Sequence, residues 1–136
     1  MSRGKITHVI DSLGPGGAER LLVAYAPRIA RLGFDVNVVV LHEKQGNFMI
    51  PQLVEAGIPV TWLPVEKLRR LDQVAGFLRA MRQSRPDLIH AHLEFASILG
   101  SVCGRLTGTP VVATLHTLDA PALGNRRDTR RWLMYQ

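Results

Sequence analysis

Short β-branched runs alternate with amphipathic helical stripes along the whole chain, and a glycine or proline stands at most of the switches between them. Lys5–Asp11 opens the series as a strand. Ala18–Leu32 follows as a helix that Gly33 ends, and Asp35–His42 (DVNVVVLH) is a second strand. Glu43–Phe48 reads as a loop, Pro51–Ala56 as a short helix closed by Gly57, and Pro59–Val65 as the third strand. Leu71, Val74, Ala75, Leu78 and Met81 share one helical stripe, which stops before Pro86. Asp87–His92 (DLIHAH) is the fourth strand. Phe95, Ile98, Leu99, Val102, Cys103 and Leu106 mark another helix, closed by Gly108, and Pro110–Leu118 is the fifth strand. Asp119–Asn125 reads as a loop and Asp128–Gln136 as the opening turns of a further helix.

Strands separated by helices at this spacing need crossover connections. The predicted fold is therefore α/β: a doubly wound parallel sheet, Rossmann-like, in the strand order 3-2-1-4-5. The second and fifth strands are apolar on both faces, as expected where helices cover both sides. Pro27, midway along the first helix, cannot bond the carbonyl of Val23, which predicts a kink or an early break. A chain of 136 residues fits one domain, and a domain of that size buries about 68% of its unfolded surface. No run approaches the eighteen or so apolar residues of a transmembrane helix, and no signal peptide is expected from the residues before the first strand.

The first strand-to-helix junction, KITHVIDSLGPGGAER, carries the clearest chemistry. Gly14, Pro15, Gly16 and Gly17 place backbone N–H groups and a helix N-terminus at the carboxyl end of a strand, which suits an anion such as a phosphate. The paired glycines serve either a tight turn at positive φ or the close approach of a ligand. A dinucleotide fingerprint is only partly met, because Glu19 stands at the third glycine position; a P-loop is excluded, because no Gly-Lys-Ser/Thr follows. Glu19 is placed to cap the new helix or to favour its positive end.

In the order 3-2-1-4-5, ligands bind beyond the carboxyl ends of the first and fourth strands, where the strand order reverses. Gly16, Gly17, His92 and His116 then meet at one rim. His8, inside the first strand, reads as a satisfied core residue, and His42 as a weak candidate for a nucleotide ribose. His90 and His92 project to one face and form, with His116, an imaginable three-histidine metal set. His90 is mid-strand, however, and no carboxylate stands ready to orient a ligating ring, so no metal is expected. His116 is the better functional candidate, against the plainer reading of a histidine that ends a buried strand.

Cys103 is the only cysteine, which excludes an intrachain disulfide and a cysteine-rich metal centre. Its apolar stripe makes it a small buried hydrophobe, and a reducing cytoplasm fits. The net charge of +6 is confined to two segments. Glu66–Arg85 holds six basic and two acidic residues, and Arg126–Arg131 sets four arginines against Asp128. Such segments attract anionic membrane surfaces or nucleic acid. Arg79, Arg82 and Arg85 read as a solvated helix face, and the lack of interleaved aromatics argues against single-stranded nucleic acid.

IDSLGPGGAER, DVNVVVLH, SRPDLIHAHLEFASILG and TGTPVVATLHT, in that order, resemble the N-terminal, acceptor-side domain of GT-B glycosyltransferases of family 4, over essentially the whole chain. The resemblance implies one half of a GT-B fold and sugar transfer with retention of anomeric configuration, without a metal or other cofactor. It places Gly16 and Gly17 at the donor phosphates, His116 at the reacting sugar as the catalytic residue, and His92 and Glu94 toward the acceptor. It also implies a nucleotide-sugar donor held by a second domain, a glycan or lipid-linked acceptor, and leaving-group charge offset by Arg, Lys and backbone donors. That second domain should carry an Arg/Lys pair and a Glu-x7-Glu motif, which nothing here supplies.

The chain stops at Trp132-Leu133-Met134-Tyr135-Gln136 without a helix stop signal, so the expectation is a polypeptide truncated before its nucleotide-sugar domain and inactive alone. It is expected to be cytoplasmic, with peripheral contact at the inner membrane face and no nucleic-acid partner. The alternatives are a nucleotide- or dinucleotide-binding Rossmann-like module without sugar transfer, and a non-catalytic interaction domain.

Overall fold

A computed structural model describes residues 1–116. The strands are β1 (Lys5–Ile10), β2 (Asp35–Val40), β3 (Val60–Trp62), β4 (Leu88–His92) and β5 (Val111–Thr114). The helices are α1 (Gly17–Arg31), α2 (Ile50–Glu55), α3 (Leu71–Ser84) and α4 (Glu94–Thr107). All five strands are parallel and lie in the order β3-β2-β1-β4-β5, the doubly wound order expected from the alternation. The strand order reverses between β1 and β4, whose registers set His8 beside His90 and Ile10 beside His92.

The period of two along the strands sorts their side chains between two cores. Val9, Val39, Ile89 and Ala91 pack with Phe77 and Met81 of α3 and with Leu99 and Cys103 of α4. Ile10, Val36, Val38 and Val40 pack with Leu22 and Ala26 of α1 and with Leu53 of α2. Cys103 is thus the expected core residue, and burial pushes its thiol above the usual range.

Three expectations change. α1 runs unbroken through Pro27, so no early break occurs. The lost hydrogen bond is outweighed by a helix face held on the sheet by Leu22 and Ala26, with Ile29 and Ala30 packed beside them. β3 is shorter than Pro59–Val65, running only from Val60 to Trp62, although Leu63 N and Val65 N still donate to the Val40 and Leu41 carbonyls beyond it. β5 is not covered on both faces: it is the edge of the sheet, and Val112 is 48% exposed there among the described residues.

The loop after β2 contains a single 3-10 turn organised by buried Asn47. Its Oδ1 accepts from Leu13 N at 3.0 Å and Lys44 N at 3.2 Å, while Nδ2 donates to the His42 carbonyl at 3.0 Å. One amide therefore fastens the glycine turn after β1 to the loop after β2. No helix among the described residues is long and apolar enough to cross a membrane. The end of the expected fifth strand at Thr117–Leu118, the loop Asp119–Asn125, the basic run Arg126–Arg131 and the helix Asp128–Gln136 lie outside the described residues.

Candidate functional site at the carboxyl ends of the strands

Each glycine of the first turn has its own reason. A β-carbon on Gly14 would stand 2.8 Å from the Lys44 carbonyl oxygen, so glycine lets the neighbouring loop approach. Gly16 is extended at φ −179, and a β-carbon there would run into the Glu19 carboxylate. Gly17 opens α1 with nothing among the described residues within 4 Å of where a β-carbon would stand. Neither Gly16 nor Gly17 has a positive φ, so the tight-turn reading does not hold for the pair. Glu19 lies in the first turn of α1. It folds back over Gly16, 4% exposed, with its charge near the positive end of α1.

Asp11 follows β1 and reaches across to α4, where its Oδ1 accepts from Ala96 N at 2.7 Å. Burial raises the Asp11 pKa, while the Ala96 and Phe95 N–H groups and His42 pull it down and Glu94 pushes it up. Glu94 lies in the first turn of α4. Between β4 and α4, Leu93 adopts φ 72 and ψ 175, a conformation rare for a bulky side chain, and such backbone costs about 1–3 kcal/mol. The bend turns the chain from His92 directly into α4. His42 rests against Phe95, ring centroids 4.7 Å apart, with its Nε2 buried and unpartnered.

The histidines of β1 and β4 cluster on the α1 face of the sheet. His8 Nδ1 is 3.1 Å from His92 Nε2. Either ring can be the donor, and either choice leaves one buried N–H and one bare nitrogen unpartnered, since His8 Nε2 and His92 Nδ1 have no partner among the described residues. His8 is therefore a core residue, as expected, but only half satisfied. Tyr25 of α1 packs its ring 5.3 Å from His8, edge to face. Burial, with His90 adding repulsion, pulls the His8 pKa down to about 3. Burial does the same for His92, also to about 3, aided by His90, His8 and His116. His90 is lowered by burial and by His116.

Nitrogens of His8, His90 and His92 lie within 4.8 Å of one another, so the cluster that forms contains His8 rather than His116. His90 uses both nitrogens, Nδ1 with the Tyr25 hydroxyl and Nε2 with Thr114 Oγ1, each at 2.7 Å. The three-membered group contains no carboxylate to offset a buried cation.

Of the residues expected at one rim, His92 and His116 lie near one another beside this cluster. His92 is 2% exposed and lies beneath His116, ring centroids 6.3 Å apart and planes 25° apart. His116, just past β5, is exposed. His92 is thus a floor for His116 rather than an open surface group. Tyr25, Thr114, Asp11 and Asn47 escaped the sequence reading. Tyr25 was discoverable, since it lies seven residues after Ala18 on the buried side of α1. Asp11 and Asn47 act across long sequence separations and leave no local pattern.

A curated relative, the D-inositol 3-phosphate glycosyltransferase of Nocardiopsis dassonvillei, is 30% identical over 118 residues, covering 76% of this chain and 27% of its own length. Among solved structures, Anabaena Alr3699/HepE in complex with UDP-glucose superposes with a TM-score of 0.72 at 24% identity, over 94% of this chain and 33% of that one. Acinetobacter baumannii MurG superposes with a TM-score of 0.63 at 18% identity, over 81% and 34%. These structural neighbours are GT-B glycosyltransferases, and at such identities they establish the fold. The chain spans about a third or less of the length of each protein. The Glycosyltransferase Family 4 profile matches residues 15–136, from the glycine turn onward, and the chain belongs to that family.

Proposed function

We propose that this chain is the acceptor-binding half of a retaining glycosyltransferase that moves a sugar from a nucleotide-sugar donor to a glycan or lipid-linked acceptor. The observation that carries the reading is the rim itself. His116 stacks over buried His92 where the strand order reverses, at the same end of the sheet as the open turn at Gly17. In this reading His116 contacts the reacting sugar, and Gly17 admits the donor phosphates. Gly16 contributes through Glu19 rather than by direct approach, because the carboxylate already fills that space. His92 holds the His116 ring from below, and Glu94 faces the acceptor from the first turn of α4. The nucleotide belongs to a second domain, whose cations offset leaving-group charge, and no metal takes part in the transfer.

The 136-residue chain alone is proposed to transfer little or no sugar. Incubation with UDP- and GDP-sugars and chromatographic analysis checks this, and turnover above the hydrolysis blank would overturn it. Calorimetry with NAD and with the same nucleotide sugars separates the proposal from a dinucleotide-binding module. Tight NAD binding would replace the glycosyltransferase reading.

Peripheral membrane contact through Lys67–Arg70 belongs to the same proposal. Exposed Leu68 and Leu71 flank these cations, a composition suited to an interface. Arg70 already pairs with Asp72 at 3.0 Å and Glu66 at 3.9 Å, which reduces the charge on offer. Co-sedimentation with anionic and neutral vesicles tests it, and equal absence of binding to both removes it.

A further inference from the structure

Tyr25, His90 and Thr114 come from α1, β4 and β5, and one line of hydrogen bonds joins them across the sheet. The His90 ring is kept neutral at pH 7 by burial and by the neighbouring His116, so it carries a single proton between two hydrogen-bonded nitrogens. Two polarities follow. With the proton on Nε2, Tyr25 donates to Nδ1 and His90 donates to Thr114 Oγ1, which leaves the hydrogen of the Thr114 hydroxyl unspent. With the proton on Nδ1, His90 donates to Tyr25 and accepts from Thr114, so that hydrogen is consumed inside the network.

A phenol is a more acidic donor than an aliphatic alcohol, so the first polarity places the better donor against the bare imidazole nitrogen. Burial pushes the Tyr25 hydroxyl up to about 12, so it keeps its proton throughout the working range. The Thr114 hydroxyl makes no second side-chain hydrogen bond among the described residues, while the Thr114 carbonyl accepts from Leu93 N at 3.4 Å. It ends β5, half-buried, level with His92 and two residues before His116.

We infer that Thr114 is a ligand-binding residue of the rim, its hydroxyl donating to a hydroxyl oxygen of a sugar or other polyol, and that Tyr25 and His90 are positioning residues that leave this hydrogen available. The inference rests on the sugar-handling reading and deepens it by naming a neutral hydroxyl contact on β5. No proton changes hands, and each bond in the line is a hydrogen bond in a fixed sense.

Long-range proton–nitrogen spectra of the unmodified chain read the His90 tautomer directly, with no variant that must fold. The expected result is a neutral ring protonated on Nε2, and a ring protonated on Nδ1 would overturn the inference. Titration with glucose, followed through the backbone amides of Ala113–His116, tests the contact. Thr114→Ser is expected to saturate with the unmodified chain. Thr114→Val and Tyr25→Phe are expected to need about fivefold more glucose, the equivalent of one hydrogen bond. Thr114→Val saturating at the original concentration would end the Thr114 assignment and leave the sugar-handling reading standing. No glucose binding by the unmodified chain would end both.

Discussion

The Glu19 carboxylate lies over the backbone of Gly16, in the space that a β-carbon at that position would need. The glycine of the turn thus accommodates the protein's own anion, and the two residues form one steric unit. Gly16→Ala is expected to expel the carboxylate and to destabilise the chain by about 1–3 kcal/mol. In a Glu19→Ala background the same change should cost far less, because its obstacle is gone. Urea unfolding of the four proteins measures the coupling, and additive effects would show that the two do not share space.

Gly17 behaves oppositely. Nothing among the described residues stands within 4 Å of its would-be β-carbon, and its φ is not positive. Gly17→Ala should leave thermal stability unchanged or raise it by up to about 1 kcal/mol, since alanine is the better helix residue. If ligand phosphate approaches this backbone, the new methyl group should blunt the response of the Gly16–Ala18 amides to inorganic phosphate by at least about threefold, the loss of a close backbone contact. An unaltered phosphate response would place the anion elsewhere.

His8 and His92 have folded-state values of about 3, well below the ordinary histidine value of 6.5. The unfolded chain therefore binds protons before the folded one as acid is added. Stability is full above pH 6.5 and falls as the pH drops toward 3, by at most about 1.4 kcal/mol per pH unit for each ring. The raised value of Asp11 acts in the opposite sense nearer its ordinary 3.8 and softens the loss at the acid end. Urea midpoints at pH 7.5 and 5.5 should differ clearly, and His92→Gln should shrink the difference. Equal midpoints in the parent chain would mean that the rings are protonated without cost.

Asp11 ties the end of β1 to the start of α4 through Ala96 N at 2.7 Å. Asp11→Ala should cost about 1–3 kcal/mol by orphaning that donor, whereas Asp11→Asn keeps an acceptor and should cost less. Hydrogen exchange at the Ala96 amide reads the bond itself. Protection at that amide unchanged in Asp11→Ala would show that another group caps α4.

The strand order was legible because the β-branched runs of β1 and β2 and the short stretch of β4 are divided by helical stripes, and right-handed crossovers leave few alternative windings. Pro27 misled for a physical reason: a one-residue rule sees the missing N–H but not the face formed by Leu22 and Ala26 against the sheet. β5 misled because Val111, Val112 and Ala113 make successive positions apolar, and composition cannot say which neighbours arrive to cover them.

The amino-acid order by itself determined the parallel α/β architecture, the glycine turn after β1 and the placement of His92 and His116 at one end of the sheet, because periodicity and chain connectivity are local or topological. The tertiary structure alone decided the rest. Packing brought the His8 ring within 3.1 Å of His92, folding put the Glu19 carboxylate over Gly16, and the edge position of β5 exposed Val112. Those outcomes turn on ångström-scale contacts between distant residues, which no pattern along the chain encodes.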